Sequence, residues 1–313
     1  MTAAPLNAYA KLNLGLHILG KLESGYHKLQ SLIAFADIAD MLQCSNTPPA
    51  QSMPLSHHYE DIDLTLHVAS NQPLDSHFLT SNLIYQAAKT LYDYALEYNT
   101  GEPCPTHMAL EKNIPIGAGL GGGSSDAAAA FHALNQQWNI NLPTSKLAEL
   151  ASALGSDIAA CLTSRAQWMS GTGNTLAPAH INAELWAVIV YPNIALSSAA
   201  VYQAFSSSRS QSRDLHNTMP KFGSFCCDDA ESLIHYLQQT ENHLTKPAIQ
   251  CTAEITDALT ALERLPNAQL TRMSGSGSAC FALFNNEAAA KTASDQLTQN
   301  HPDWWVGCAK LIF

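Results

Sequence analysis

The stretch Pro115–Leu134 reads PIGAGLGGGSSDAAAAFHAL, with five glycines in its first ten residues and an alanine-rich run after them. Glycine at that density admits tight turns and lets another group approach the backbone closely. The alanines favour a helix from about Ser124 to Trp138, and Ala127, Phe131, Leu134 and Trp138 recur at i, i+4, i+7 and i+11, the spacing of one face packed on a core. A glycine loop that opens a helix aims unpaired N–H groups outward at the positive end of the helix dipole, with the Ser124 and Ser125 hydroxyls beside them. That combination is a cradle for phosphate. Asp126 fits it poorly, because a carboxylate there repels a phosphate unless it turns away or is bridged by a cation.

Gly117, Gly119 and Gly122 formally match the dinucleotide fingerprint G-x-G-x-x-G, but the segment after the helix, NINLPTSKLAEL, reads as loop and helix and not as the second strand of a βαβ unit. No lysine follows Gly121, Gly122 or Gly123, so the G-x-x-x-x-G-K-[ST] phosphate loop is excluded as well.

Outward from this loop the pattern mixes strands and helices. Strands are expected at Ala8–Leu19, at Leu64–Ala69 and in HMALEKNIPI before the loop, with LQSLIAFADIADML as strand or short helix. A helix starts near Ser81, which is available as its N-cap, and TSKLAELASAL forms another that enters a short GSD loop at Gly155–Asp157. After the turn-rich SGTGNTLAPAH, the strand LWAVIVYP opens a second module with helices in ESLIHYLQQTENHL, AEITDALTALERL and EAAAKTASDQLTQ. Its strands are QLTRM, ACFALF and WWVGCAKLIF. Two domains of α+β type are expected, 1–179 and 180–313. The segment Cys44–Asp61 reads as a surface excursion and Ser206–Thr218 as a flexible loop.

The 313 residues are 46 % hydrophobic and 13 % charged, with a formal net charge of -11. That balance supplies a core and argues against nucleic acid or an anionic membrane as partner, while a small anionic substrate remains compatible through local N–H groups and lysines. None of the eight cysteines forms a C-x-x-C pair, and the thirteen histidines show no metal-ligand spacing, so no protein metal site is expected. The N-terminal segment lacks the build of a signal peptide, and no apolar run reaches membrane-spanning length. The expectation is a cytoplasmic protein, monomeric or weakly dimeric.

Three stretches together carry a family likeness. PIGAGLGGGSS resembles the central phosphate-binding motif of the GHMP kinases, MSGSGSACFALF resembles their C-terminal glycine turn, and AYAKLNLGLHILGKLESGYHKLQSL resembles the first motif of a member whose substrate carries a cytidine diphosphate group. The resemblance implies a two-domain fold, ribosomal-protein-S5-like then ferredoxin-like, and transfer of the γ-phosphoryl group of ATP, with Mg2+ arriving on the nucleotide, to a tertiary hydroxyl. It assigns Lys11 and Asp157 to catalysis. ATP falls to Pro115, Gly117, Gly119, Leu120, Gly121, Gly122, Gly123, Ser124 and Ser125, with Asn82, Leu83 and Lys112 on the adenosine side. Asn13, Tyr26, His27 and Tyr202 fall to the substrate, His27 reading the cytosine edge through its main chain and the two tyrosines sandwiching the ring. The chain departs from the family pattern at GSDIAAC, where relatives commonly carry Pro and Phe after the aspartate, and at Ser274, where they carry Thr. Two alternatives stay open: a GHMP kinase for another alcohol of homoserine or mevalonate type, and an inactive nucleotide-binding regulator.

Overall fold

A computed structural model of the chain describes residues 4–23, 25–74, 78–79, 82–208 and 226–313. They fall into two compact units that interleave along the chain, one built from Met1–Ala10, Ala39–Ile114 and Gly121–Thr163, the other from Lys11–Ile38, Pro115–Leu120 and Ser164–Phe313. This partition is finer than one crossing near Ala179, because the strands β1 (Leu6–Lys21) and β2 (His27–Ser45) each begin in one unit and end in the other.

In the first unit, the end of β2 pairs antiparallel with β5 (Thr106–Lys112), which pairs parallel with β4 (Leu64–Ser70), which carries β3 (Leu55–Tyr59) antiparallel at the edge. In β4, buried Leu64, Leu66 and Val68 alternate with half-buried residues, so one face is apolar. That edge strand corrects the expected surface excursion at Cys44–Asp61: part of it is paired sheet, and Tyr59 is buried.

The described residues of the unit also form the helices α1 (Leu83–Tyr98), α2 (Gly122–Gln137), α3 (Thr144–Leu154) and α4 (Ser156–Cys161). The N-cap of α1 is Asn82, whose side-chain oxygen accepts from the N–H of Ile84 at 2.9 Å; Ser81, the expected cap, lies outside the described residues. Ala87, Ala88 and Leu91 of α1 and Ala127, Ala130, Phe131 and Leu134 of α2 are buried, and the two helices pack on each other. Small side chains at the seam bring the helices close. Trp138, fully buried after α2, donates its indole N–H to Thr106 Oγ1 at 2.9 Å, so its one polar atom is satisfied. The expected GSD loop is the start of α4, which places Asp157 in a helical first turn.

In the second unit, β11 (Leu270–Met273), β12 (Cys280–Phe284), β9 (Trp186–Tyr191), β13 (Trp305–Ile312) and the beginning of β2 form an antiparallel sheet in that order. The hairpin of β6 (Gln167–Gly171) and β7 (Thr175–Pro178), whose second strand lies in the stretch expected to be turn-rich, adds to β2, and β8 (His180–Ile181) pairs parallel with β10 (Cys226–Cys227) as a separate ribbon. Val188, Val190, Ala282 and Phe284 of the sheet pack with Ile255, Ala258, Leu262 of α8 (Glu254–Glu263) and Ala290, Leu297 of α9 (Glu287–Asn300). Among the helices preceding these, α5 spans Ser198–Ser208, α6 Ala230–Gln238 and α7 Thr245–Cys251. The expected single helix through ESLIHYLQQTENHL therefore stops at Gln238, and the expected flexible loop begins inside α5, its residues 209–218 lying outside the described residues. Among the described residues no helix is long and apolar enough to cross a membrane.

Two glycine turns meet inside this second unit. A Cβ on Gly119, whose φ is +79°, would come 2.3 Å from the carbonyl oxygen of Gly277, and one on Gly117 would come 2.9 Å from Ala195 Cβ. Gly123 is different, since its Cβ would find only Leu83 Cδ1 at 3.7 Å. We therefore predict that Gly119→Ala lowers thermal stability by about 1–3 kcal/mol from its positive φ alone, with the clash adding to this. Gly123→Ala, at an open helical position, should leave stability within about 1 kcal/mol or raise it. Equal melting temperatures for the two variants in a thermal unfolding series would refute the close-contact account of Gly119.

Candidate active site

The first unit holds one group of the expected residues around the N-terminus of α2. Gly121, in the left-handed conformation with φ +68°, turns the chain into the helix and offers no side-chain cap to the first-turn N–H groups. Ser124 is half-buried beside them, whereas Ser125 is buried and turns both of its donors inward: its N–H bonds the Gly121 carbonyl at 2.8 Å, and its hydroxyl donates to the Tyr9 carbonyl at 2.6 Å. Ser125 Oγ also lies 3.2 Å from Cys161 Sγ, which ties α4, and with it half-buried Asp157, against the phosphate-type helix. Asn82 is spent as the cap of α1, and Leu83 borders Gly123.

Lys112 has a fuller occupation than the sequence suggested. Its ammonium donates to Asp40 and, at 2.7 Å, to Asp126, and all three side chains are almost wholly buried. Asp40 also accepts the N–H of Ile114 at 2.8 Å and that of Asn113, so the triad fastens the end of β5 to β2 and to α2. Here lies the answer to Asp126, which turns away from the helix mouth toward a lysine. Its second oxygen, Oδ1, is buried without a hydrogen-bond partner. Burial pushes the Asp126 carboxyl up to about 7, the Lys112 ammonium opposing that rise and the Asp40 carboxylate adding to it. Burial alone would lower Lys112, and the two carboxylates outweigh it so that the ammonium is held above its ordinary range.

The second unit assembles the other group. Lys11, 3 % exposed, is part of β1 and donates from Nζ to Asn13 Oδ1 at 2.9 Å. Its backbone N–H donates to the Leu120 carbonyl at 2.7 Å, while the N–H of Ala279 donates to the Ala118 carbonyl at 2.9 Å. The three family-like motifs are thus joined by main-chain bonds. Asn13 N–H donates to Ser274 Oγ at 3.1 Å, which gives the hydroxyl at that turn a structural use. Asn242, which no sequence pattern singled out, donates to the carbonyls of Met273 and Gly275 at 2.8 and 2.7 Å and fixes the second glycine turn. Pro115 is buried.

Further along this unit, Tyr26 is 68 % exposed after the β1 strand, and His27 stacks on Tyr202 with ring centroids 5.3 Å apart. Phe205 meets His27 edge-on at 5.6 Å, and Ser206 Oγ lies 3.2 Å from its Nε2. The structure therefore pairs Tyr202 with His27, an arrangement the expected sandwich of two tyrosines did not include. Lys11, Asn13 and the Pro115–Leu120 part of the loop belong to one unit, and Asp157 and Gly121–Ser125 to the other. Among the described residues no cluster of three or more His, Cys, Asp or Glu side chains could hold a metal ion.

Comparison with known proteins bears on this geometry. The model of the GHMP kinases N terminal domain matches residues 82–165, and that of the GHMP kinases C terminal matches residues 226–303, on either side of position 179. The 4-diphosphocytidyl-2-C-methyl-D-erythritol kinase of Paramagnetospirillum magneticum is 36 % identical over 312 residues, covering 100 % of both chains. That of Rhodospirillum rubrum is 33 % identical over 305 residues, covering 97 % of this chain and 91 % of the relative. A crystal structure of 4-(cytidine 5'-diphospho)-2C-methyl-D-erythritol kinase superposes with a TM-score of 0.73 at 28 % identity, over 99 % of this chain and 100 % of the other.

The buried triad carries a prediction with a definite sign. A carboxyl raised from an unfolded value near 4 to about 7 binds its proton more tightly in the folded state. Its contribution is full below pH 4 and is lost as pH rises through 7. Asp126→Asn, which leaves the Lys112–Asp40 pair in place, should remove that slope. Melting temperatures of the two proteins should converge near pH 5 and diverge by pH 8, with the wild type falling further; parallel curves from pH 5 to 8 would contradict the raised carboxyl.

Proposed function

The chain belongs to the GHMP kinases, in the branch of the 4-diphosphocytidyl-2-C-methyl-D-erythritol kinases, and from that membership we propose how its residues perform the reaction. The enzyme phosphorylates the tertiary 2-hydroxyl of 4-diphosphocytidyl-2-C-methyl-D-erythritol with ATP, in the supply of isoprenoid precursors by the non-mevalonate route. The observation that carries the reading is the joining of Lys11 to the glycine loop through its N–H bond to Leu120, with its ammonium on Asn13.

In this reading the ATP phosphates lie against the first-turn N–H groups of Gly122, Gly123 and Ser124, with Gly117, Gly119, Leu120 and Gly121 shaping the approach and Pro115 setting its start. Ser125 holds the helix in place through Tyr9 instead of pointing at phosphate. Asn82 and Leu83 border the adenosine. Lys112 contributes there through its main chain, because its ammonium is engaged by Asp40 and Asp126. A magnesium ion arriving with ATP would be held by phosphate oxygens and water and would offset phosphate charge.

Phosphoryl transfer forms a bond between the substrate oxygen and the γ-phosphorus, breaks the bond from that phosphorus to the β-bridging oxygen, and releases ADP. Asp157 accepts the proton leaving the hydroxyl, and the Lys11 ammonium stabilises negative charge on the transferring group. Asn13 orients the methylerythritol hydroxyls. Tyr26 offers an exposed aromatic face to cytosine, His27 reads the ring's edge through its main chain, and Tyr202 supports His27 by stacking. Eight free cysteines fit a reducing cytoplasm, and the division into N- and C-terminal modules near position 179 fits the spans of the two family models.

The deciding experiment is coupled detection of ADP release with the cytidine substrate, with homoserine and mevalonate as controls. Asp157→Asn should reduce turnover by at least about 100-fold while ATP still binds. Near-normal turnover would remove Asp157 from the proton-accepting role. Tyr26→Ala should raise KM for the cytidine substrate about tenfold, the loss of one stacking contact, with KM for ATP unchanged. An unaltered cytidine KM would take Tyr26 out of the binding site.

A further inference from the structure

The orientation of the Asn13 amide is dictated from outside the motif that contains it. Ser31, on β2 and fully buried, has one hydroxyl proton, and it donates that proton to the Gly15 carbonyl at 2.7 Å. A carbonyl can only accept, so the direction of this bond is fixed. With its proton committed, Ser31 Oγ can only accept from Asn13, 2.8 Å away, and the group facing it must be the Asn13 NH2. The other end of the amide, Oδ1, then faces Lys11 Nζ at 2.9 Å, where an ammonium needs an acceptor. The backbone beside it is held by Ser274, and a Cβ on Gly275 would come 3.1 Å from Asn13 Oδ1, so the amide has little lateral room.

We propose that Ser31 is a positioning residue for phosphoryl transfer: through a hydrogen-bond relay in which its hydroxyl donates to the Gly15 carbonyl and accepts from the Asn13 NH2, it sets the Asn13 amide so that the amide oxygen holds the Lys11 ammonium. Without the hydroxyl the amide can rotate, presenting NH2 hydrogens to the ammonium and losing the charge-assisted bond. This rests on the catalytic role given to Lys11 above, although the hydrogen-bond chain does not.

The test is a double-mutant cycle read in kcat and KM. Ser31→Ala should lower kcat about tenfold, the size of one lost hydrogen bond to a charged group, with KM for ATP within about twofold. In an Asn13→Ala background the same change should move kcat by less than about twofold, because nothing remains for Ser31 to orient. Ser31→Thr, which keeps the hydroxyl, should restore most of the rate. An undiminished kcat in Ser31→Ala, or an equal loss in both backgrounds, overturns the proposal.

A second readout does not need turnover. The Asn13 side-chain NH2 pair, identified by its disappearance in Asn13→Ala, should shift in the amide nuclear magnetic resonance spectrum and exchange faster with solvent in Ser31→Ala. Unchanged resonances overturn the relay. Absence of turnover by the wild type with the cytidine substrate would count against the proposed function, and the resonances would still decide whether Ser31 orients the amide.

Discussion

At Gly119 two stretches of main chain press together so closely that no side chain fits between them: a Cβ would stand 2.3 Å from the Gly277 carbonyl oxygen. Backbone pressed on backbone leaves no side-chain rotamer to adjust, so the position of one turn sets the position of the other. Bonds from Lys11 N–H to Leu120 and from Ala279 N–H to Ala118 complete the arrangement. Glycine in this loop therefore serves two masters. Gly117, Gly119 and Gly122 accommodate the protein's own chain, the last with Ile114 Cγ2 3.2 Å from where a Cβ would stand, while Gly123 faces only Leu83 Cδ1 at 3.7 Å.

The first unit solves a different problem, that of burying charge. Two carboxylates and one ammonium are removed from water together, which is costly unless hydrogen bonds satisfy the remaining lone pairs. Two main-chain N–H groups do so at Asp40 Oδ1, whereas Asp126 Oδ1 has no such partner. Burial, with the Asp40 carboxylate beside it, therefore penalises the charged form of Asp126, and protonation relieves that cost. Removing Lys112 alone would leave two buried like charges, a larger loss than removing either carboxylate.

The regular elements were legible where periodicity was strong and local. The helix at Thr144–Leu154 coincides with TSKLAELASAL, and the continuous apolar run at Trp186–Tyr191 is a central strand. Edge strands were not, since Leu55–Tyr59 carries two histidines and a serine and is defined by its partner on β4. At the site, the glycine loop and Lys11 could be singled out by motif. The burial of Lys11, the pairing of Asp126 with Lys112 and the roles of Ser31 and Asn242 could not. Their partners are remote in sequence: Asn13 meets Ser274 across 261 positions, and Lys112 meets Asp40 across 72. Tyr202 followed only from the family resemblance, and its stack on His27 depends on the helix Ser198–Ser208 meeting the start of β2.

The main-chain bonds at Lys11 and Ala279 also supply a means of observation. Each of these amides gives its hydrogen to a carbonyl of the glycine loop, and a bonded amide trades its proton for deuterium only when that bond opens. The isotope-exchange rates of two residues separated by most of the chain thus report one local event, the departure of Ala118–Leu120 from its seat. Matching rates at the two amides would identify the loop as a single cooperative opening unit, and they can be followed with no nucleotide present.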